Sequence, residues 1–307
     1  MLISRLGSDG TIAIEQDRAQ VTRLGKGVDK SGLLDPVAVE RTLSTLRDYS
    51  TEAKKSRAKI IAVATSVLRD ARNREAFVET AERILGETIE IISGRREAEL
   101  TYVGAIRALY QIGERKNSSR AGSREVTVVD VGGGSTEVIR GAGRRVLETR
   151  SIDIGAVRLM ERHRLKAPAK RQQIKAIEDE IGHALDTARI DFDEPLIAVG
   201  GTATTISAIL GEVEPFDAER INGSIISYGE LNALCDRLAR MSLFERRKIT
   251  GLEKGRADII VPGALVLLAL QKYAKTDHLM VSIGGVRFGL AIETYRKIAI
   301  DLDIDFA

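Results

Sequence analysis

The sequence has few of the residues that most often carry enzyme chemistry, base stacking or membrane insertion. It contains one cysteine, three widely separated histidines and no tryptophan among 307 residues. An internal disulfide is therefore impossible. The histidines are not spaced as metal ligands, and neither a histidine-based zinc site nor a Ser-His-Asp triad is expected. Aromatic residues make up 4% and the formal net charge is +3, which is too little of either to indicate a nucleic-acid partner.

No apolar run approaches the roughly 20 residues that a membrane span requires. The start, Met1-Leu2-Ile3-Ser4-Arg5, lacks a charged segment followed by a long apolar one, so no secretory signal is visible. We therefore predict a cytoplasmic protein with no membrane partner. Cys235 lies in a helical pattern with leucines at 231, 234 and 238, which indicates a buried side chain without a catalytic role.

Predicted strands alternate with predicted helices along both halves of the chain. The apolar runs Ile60–Ala64 and Val126–Val131 are typical of buried strands. Helical spacing of apolar residues predicts helices at residues 102–112, 173–189, 204–210 and 263–270. Between Gly113 and Glu125 the sequence is polar and basic without periodicity. We predict an α/β protein of two domains, residues 1–118 and 119–307.

The strongest functional motif is a glycine loop at the end of the strand Val126–Val131. It reads Asp130-Val131-Gly132-Gly133-Gly134-Ser135-Thr136-Glu137. The glycines let backbone N–H groups approach an anion, and the hydroxyls of Ser135 and Thr136 can donate further hydrogen bonds. The carboxylates of Asp130 and Glu137 can hold Mg²⁺ directly or through water. The loop therefore predicts a phosphate site, although a hairpin turn without a ligand is the alternative interpretation.

The element after this loop favours one architecture. It is a predicted strand, whereas a Walker A loop or a dinucleotide fingerprint leads into a helix. A glycine turn that clamps phosphate between two antiparallel strands is typical of actin, the sugar kinases and the 70-kDa chaperones. The motif therefore favours the actin-like architecture.

Two further glycine loops come after later strands. The segment Val199-Gly200-Gly201-Thr202 leads into a predicted helix, whose N-terminus has a partial positive charge, and Ile283-Gly284-Gly285 repeats the pattern. Either loop alone is equally well an ordinary turn. Three such loops at strand ends in one domain indicate a single site, with Gly200, Gly201 and Thr202 as additional phosphate ligands.

These loops belong to a series of motifs that is specific in combination. The series comprises Arg23-Leu24-Gly25-Lys26-Gly27, Ala64–Asn73, Ile92-Ser93-Gly94, the Asp130 loop, Gly155–Leu159, the Gly200 loop and Arg256–Gly263. With it the sequence resembles the short, two-domain form of the exopolyphosphatase / guanosine-pentaphosphate phosphatase (Ppx/GppA) family over nearly its whole length. The resemblance implies two actin-like (ribonuclease H-like) domains with a cleft between them. It also implies a hydrolase of phosphoric anhydrides that uses Mg²⁺ or another divalent cation.

The resemblance assigns roles to individual residues. A segment similar to Ile-Ser-Gly-x-x-Glu-Ala places the catalytic glutamate, the general base for the attacking water, at Glu97. From the residues alone Glu97 would be a surface helix carboxylate. Arg69 would contact phosphate bidentately, or would equally be a structural ion-pair partner. Asp130 and Glu137 would hold the metal.

The sequence departs from the family pattern in two places. Arg95 and Arg96 precede Glu97 where the family often has acids, which adds positive charge beside the proposed base. The family also begins with a strand and an Asp-x-Gly-x-x-Ser loop, whereas this sequence begins at Met1-Leu2, within the second strand. We therefore expect the first strand and its phosphate loop to be missing and the neighbouring strands to lack ladder partners.

Polyphosphate is the predicted substrate, with terminal orthophosphate released by Mg²⁺-assisted attack of water. Two basic clusters, Arg162–Arg171 and Arg246–Lys248, suit an extended polyanion, and the family's long carboxyl-terminal extension does not follow Ile292. A solvated surface is the ordinary interpretation of either cluster alone. Guanosine pentaphosphate stays open as substrate, and so does a non-catalytic binder or regulator. The sequence allows a homodimer without requiring one.

Overall fold

Two units make up the part of the chain that the computed structural model describes, which is residues 1–8, 11–113 and 125–301. One unit comprises Met1–Glu97 together with residues from Leu290 onward, and the other comprises Ala98–Gly289. The helices Gly94–Gly113 and Val286–Asp301 each contribute to both units. The predicted domain boundary at 118/119 lies outside the described residues.

The first unit contains two small sheets. Its strands are β1 (Leu2–Leu6), β2 (Ile12–Asp17), β3 (Ala62–Ala64) and β4 (Ile89–Ile91). β1 pairs with β2 in antiparallel fashion, and β3 pairs with β4 in parallel. Among the described residues each of these four strands has a single neighbour, and the expected absence of a first strand stays a prediction.

Helices pack around these sheets. They are α1 (Val28–Ser31), α2 (Pro36–Lys55), α3 (Ser66–Asp70), α4 (Arg74–Leu85) and the first turn of α5 (Gly94–Gly113). α2 begins where it does because the Asp35 carboxylate accepts from the Ala38 N–H at 2.9 Å and Pro36 occupies the first helical position. Leu43 of α2 and Phe77 of α4 meet in the core of the unit.

The second unit is built on one six-stranded mixed sheet. Its strands are β5 (Glu125–Val131), β6 (Thr136–Ala142), β7 (Arg145–Ile152), β8 (Leu196–Val199), β9 (Ile225–Ser227) and β10 (His278–Val281). In space they follow the order β7-β6-β5-β8-β10-β9. β5, β6 and β7 form an antiparallel meander, and β8 lies parallel to both β5 and β10. This mixed sheet with its helices confirms the predicted α/β class, with the short edge strand β9 as an unpredicted addition.

Helices cover both faces of this sheet. They are the remainder of α5, α6 (Ala156–Arg162), α7 (Arg171–Ala188), α8 (Gly200–Leu210), α9 (Ala218–Ile221), α10 (Tyr228–Arg240), α11 (Leu243–Arg246), α12 (Ile260–Tyr273) and the start of α13 (Val286–Asp301). Alternate residues of β5 point to opposite faces. Val128 packs with Tyr102 of α5, whereas Val129 packs in the larger core with α7, α8 and α12. None of the helices in the described residues is long and apolar enough to span a bilayer.

Two helices begin earlier than their apolar spacing predicts. α5 begins at Gly94, ahead of the predicted 102–112, because its first turn is charged and carries little apolar periodicity. α8 begins at Gly200 and not at residue 204, because its first turn, Gly-Gly-Thr-Ala, carries no apolar periodicity. Gly200 takes φ +80° at the entry to the helix, which glycine allows. The corrected starts place Glu97 and Gly201 in the first turns of their helices.

Candidate phosphate site

The Gly132–Ser135 loop joins β5 to β6, and α6 holds it through its carbonyl groups. The backbone N–H groups of Ala156 and Val157 donate to the first two carbonyls of the loop at 2.9 Å each. These carbonyls are thereby turned towards α6. Within the described residues, no acceptor is assigned to the N–H groups of Gly133 and Gly134. The loop therefore presents backbone donors that can bind an anion.

The second glycine loop lies beside the first. β5 and β8 are parallel neighbours, and Asp130 is the register partner of Val199. Gly200 comes directly after it with φ +80°, and a Cβ at this position would clash with the Asp130 carboxylate. Only glycine therefore fits there. The first N–H groups of α8, from Gly200 and Gly201, have no partner within the helix and offer further donors.

The predicted hydroxyl ligands are engaged inside the protein. The buried Thr136 hydroxyl donates to a backbone carbonyl just before α6 at 2.8 Å, and the buried Thr202 hydroxyl donates to the Val131 carbonyl at 2.9 Å. The Ser135 hydroxyl donates to Glu137 Oε1 at 2.6 Å. These bonds fix the loops and tie the second loop to the end of β5. That the three hydroxyls also bind phosphate stays a prediction.

The two predicted metal ligands face each other across the β5–β6 hairpin. Asp130 and Glu137 are direct register partners, so their side chains leave the same face of the sheet. Ser151 and Ser135 both donate to Glu137 Oε1, at 2.9 and 2.6 Å, which orients that carboxylate. Among the described residues no cluster of three or more His, Cys, Asp or Glu forms a metal cage. Two carboxylates beside a phosphate loop nevertheless fit Mg²⁺, which usually keeps several waters and takes substrate oxygens.

Two arginines beside the loops were not predicted as site residues. The Arg158 guanidinium lies over Gly134, with Nη2 3.7 Å from where a Cβ would stand. The Arg256 guanidinium lies over Gly201 so closely that a Cβ there would clash with it, and its Nε donates to Glu253 at 2.7 Å. Both residues lie within family motifs of the sequence, but spacing alone does not place either of them over a glycine loop.

The third glycine loop has a packing role in the second unit. A Cβ on Gly284 would clash with the backbone carbonyl of Gly104 in α5, and the Ser282 hydroxyl donates to the Ala105 carbonyl at 2.8 Å. The Asn222 side chain accepts from the Ile283 N–H at 3.1 Å. The glycine at 284 therefore lets α5 approach closely, whereas a Cβ on Gly285 would have nothing within 4 Å.

The first unit holds the other predicted catalytic residues. Arg69 Nη1 donates to the Ile92 carbonyl at 2.7 Å and to Glu97 Oε2 at 3.0 Å. The two side chains are 29% and 18% exposed, so the pair is accessible yet partly shielded from water. Arg69 is an ion-pair partner of Glu97 and fixes its carboxylate, and bidentate contact of Arg69 with phosphate stays a prediction. Arg96 pairs with Glu293 of α13.

The basic clusters Arg162–Arg171 and Arg246–Lys248 do not form a continuous cationic surface, because some of their side chains are buried or paired. Arg246 is 1% exposed and donates to the Leu238 and Ala257 carbonyls at 2.8 and 3.2 Å, so it belongs to the core. Burial lowers the pKa of its guanidinium. Arg162 and His163 both pair with Glu180 of α7. The two basic clusters therefore support a polyanionic substrate less strongly than the sequence alone suggested.

One protein family accounts for nearly the whole chain. The model of the Ppx/GppA phosphatase family matches residues 3–297. The chain belongs to the Ppx/GppA phosphatase family. This Ppx/GppA protein is 33% identical over 287 residues to exopolyphosphatase 2 of Mycobacterium tuberculosis, covering 89% of this chain and 86% of the relative.

Other relatives extend the similarity. A guanosine-5'-triphosphate,3'-diphosphate pyrophosphatase of Vibrio atlanticus is 28% identical over 93% of this chain, which spans only 55% of that relative. The crystal structure of the Aquifex aeolicus Ppx/GppA family member matches with a TM-score of 0.78 at 29% identity, covering 96% of this chain and 93% of that one. The Ppx/GppA fold therefore holds for both units of the chain.

Proposed function

We propose that this Ppx/GppA protein is an exopolyphosphatase, which releases terminal orthophosphate from inorganic polyphosphate by attack of water. One observation carries the proposal. The Gly132–Ser135 loop and the Gly200 loop end adjacent parallel strands, with the Asp130–Glu137 pair beside them. Backbone donors for phosphate and carboxylates for a divalent cation thus occur together, as hydrolysis of a phosphoanhydride requires.

The proposed reaction is an in-line displacement at phosphorus. The oxygen of water forms a bond to the terminal phosphorus as the bond from that phosphorus to the bridging oxygen breaks. Glu97, oriented by Arg69 in the first unit, would accept the proton of the water. Asp130 and Glu137 would hold Mg²⁺, which when bound neutralises phosphate charge. The shortened polyphosphate leaves with the bridging oxygen.

Polyphosphate is favoured because the relative named exopolyphosphatase 2 matches this chain over most of both lengths. Guanosine pentaphosphate is the second candidate, since a relative named for a guanosine substrate matches 93% of this chain. Both substrates present a terminal phosphate joined through an anhydride, and the two glycine loops would bind that phosphate in either case.

Phosphate release separates these candidates. Polyphosphate, guanosine pentaphosphate and ATP are compared at equal terminal-phosphate concentration, with Mg²⁺ and with EDTA. We expect the highest kcat/KM with polyphosphate and no release in EDTA. A preference for guanosine pentaphosphate would assign the second activity. Binding of polyphosphate without any release would make the protein a binder or regulator, and undiminished release in EDTA would remove the metal from the proposal.

A further inference from the structure

We propose that Arg158 is a further phosphate-binding residue, whose guanidinium neutralises a phosphoryl group bound on the Gly132–Ser135 loop. The inference deepens the proposed function and rests on it for the identity of the substrate. It concerns the second unit alone, because Arg158 and the loop both belong to that unit.

Arg158 is attached to the loop through its main chain and overlies it with its side chain. Its backbone N–H donates to the Gly133 carbonyl at 3.0 Å. Its Nη2 lies 3.7 Å from the position that a Cβ on Gly134 would occupy. A side chain at residue 134 would occupy the space next to the guanidinium. The guanidinium therefore lies close to the loop backbone, within reach of an anion bound there.

The donors of the loop and the guanidinium lie on the same short segment. The N–H groups of Gly133 and Gly134 have no assigned acceptor within the described residues. The first N–H groups of α6 are already used by the loop carbonyls, so the helix end itself is not the anion site. A phosphoryl oxygen on these loop N–H groups would lie next to Arg158. Arg is suited to that position because its planar fork binds two phosphate oxygens at once.

The contact between Arg158 and Asp153 is weak enough to give way to phosphate. Its side chain is 19% exposed, and Nη1 pairs with Asp153 Oδ1 at 3.2 Å. Asp153 is 79% exposed, and an ion pair with so exposed a carboxylate contributes little to stability. Loss of this one contact with Asp153 would therefore cost little when a multiply charged phosphate binds. The shielded guanidinium meanwhile stays in place through the packing of α6 against the loop.

α6 also provides a matched control. Arg162 lies on the same helix and pairs with Glu180 of α7. Replacing Arg162 removes the same charge from nearly the same region without touching the glycine loop. The pair Arg158→Gln and Arg162→Gln therefore separates direct contact with phosphate from a general change in electrostatic potential.

The test is the Kd of tripolyphosphate for the full chain, measured by calorimetry in EDTA at low salt. Arg158→Gln should weaken binding by about 10- to 100-fold, the range expected for a hydrogen bond to a charged group. Arg158→Lys should recover part of the loss, because it restores the charge without the fork. Arg162→Gln should change Kd by less than about 3-fold. Melting temperatures establish that each variant is folded.

Several results would overturn the inference. These are a Kd for Arg158→Gln close to wild type, an equal loss in Arg162→Gln, or no binding of tripolyphosphate by the wild type. Phosphate release distinguishes this failure from failure of the proposed function. Wild-type turnover with unchanged KM in Arg158→Gln would refute only the role of Arg158. Binding that depends on Arg158, in a protein that releases no phosphate, would refute only the exopolyphosphatase activity.

Discussion

Replacement of Glu97 by glutamine distinguishes a catalytic role of this residue from a role in stability. The Glu97 carboxylate accepts from Arg69 Nη1 at 3.0 Å in a pair that is partly exposed. Glutamine keeps the length and an acceptor oxygen, so the contact with Arg69 can persist without the charge. The amide cannot accept a proton from water, however, and any general-base role is lost.

The two contributions differ enough to be measured apart. Loss of a partly exposed ion pair costs about 1 kcal/mol or less of the free energy of unfolding. Loss of a general base lowers turnover by roughly 10²–10⁴-fold, which is about 3–5 kcal/mol in the activation barrier. We therefore expect kcat for phosphate release to fall by that factor in Glu97→Gln, with little change in the urea midpoint.

The assay needs a control that removes a similar carboxylate. Glu293 is suitable, because it pairs with Arg96, the residue next to Glu97, and is 35% exposed. Glu293→Gln should keep kcat near wild type. If Glu97→Gln retained more than about a tenth of wild-type kcat, or if both variants lost activity equally, Glu97 would not be the general base.

The remaining predictions concern a metal ligand, two glycines and the cysteine. Asp130→Asn removes one of two facing carboxylates and should raise the Mg²⁺ concentration needed for half-maximal phosphate release, and an unchanged Mg²⁺ titration would argue against a metal at Asp130. A Cβ on Gly141 would clash with the buried Tyr102 ring, so Gly141→Ala should lower the free energy of unfolding by about 1–3 kcal/mol. Gly229→Ala, in the first turn of α10 where nothing lies within 4 Å, should raise it by less than the roughly 1 kcal/mol that separates the two residues in a helix interior, and a lowered urea midpoint would contradict this reasoning. Burial raises the pKa of the Cys235 thiol from 9.0 to about 12, so the contribution of the protonated thiol to stability is complete below pH 9 and is lost as pH rises towards 12. The free energy of unfolding should therefore fall more in wild type than in Cys235→Ala over this pH range, and an equal fall in urea titrations of both proteins would refute the reasoning.

The glycine loops show how far the sequence could predict the site. An acid, three glycines and a strand after them specify a hairpin with backbone donors, and the structure places Asp130 opposite Glu137 as that pattern requires. The same pattern at Gly284 proved to be a site of helix packing. A glycine that leaves space for a ligand and one that leaves space for a helix cannot be told apart in the sequence. Only long-range contacts distinguish them.

Arginine roles were the least predictable part of the site. Arg246 was expected in a surface cluster, but its guanidinium is buried against two backbone carbonyls. Arg158 and Arg256 lie over glycine loops because α6 and the segment before α12 bring them there. The partner of a long, flexible arginine side chain cannot be predicted from apolar periodicity. The position of its guanidinium depends on elements that are distant in the sequence.

The parallel pairing of β5 with β8 also bears on how the protein folds. Parallel neighbours require a long connection, and here the meander, α6 and α7 all intervene between the two strands. Contacts between segments so far apart in sequence form slowly. The first glycine loop can close early as a local hairpin, whereas the second joins it only when β8 docks. A phosphate ligand would therefore stabilise the fully docked sheet and not the early hairpin, and it would act on the unfolding rate more than on the folding rate.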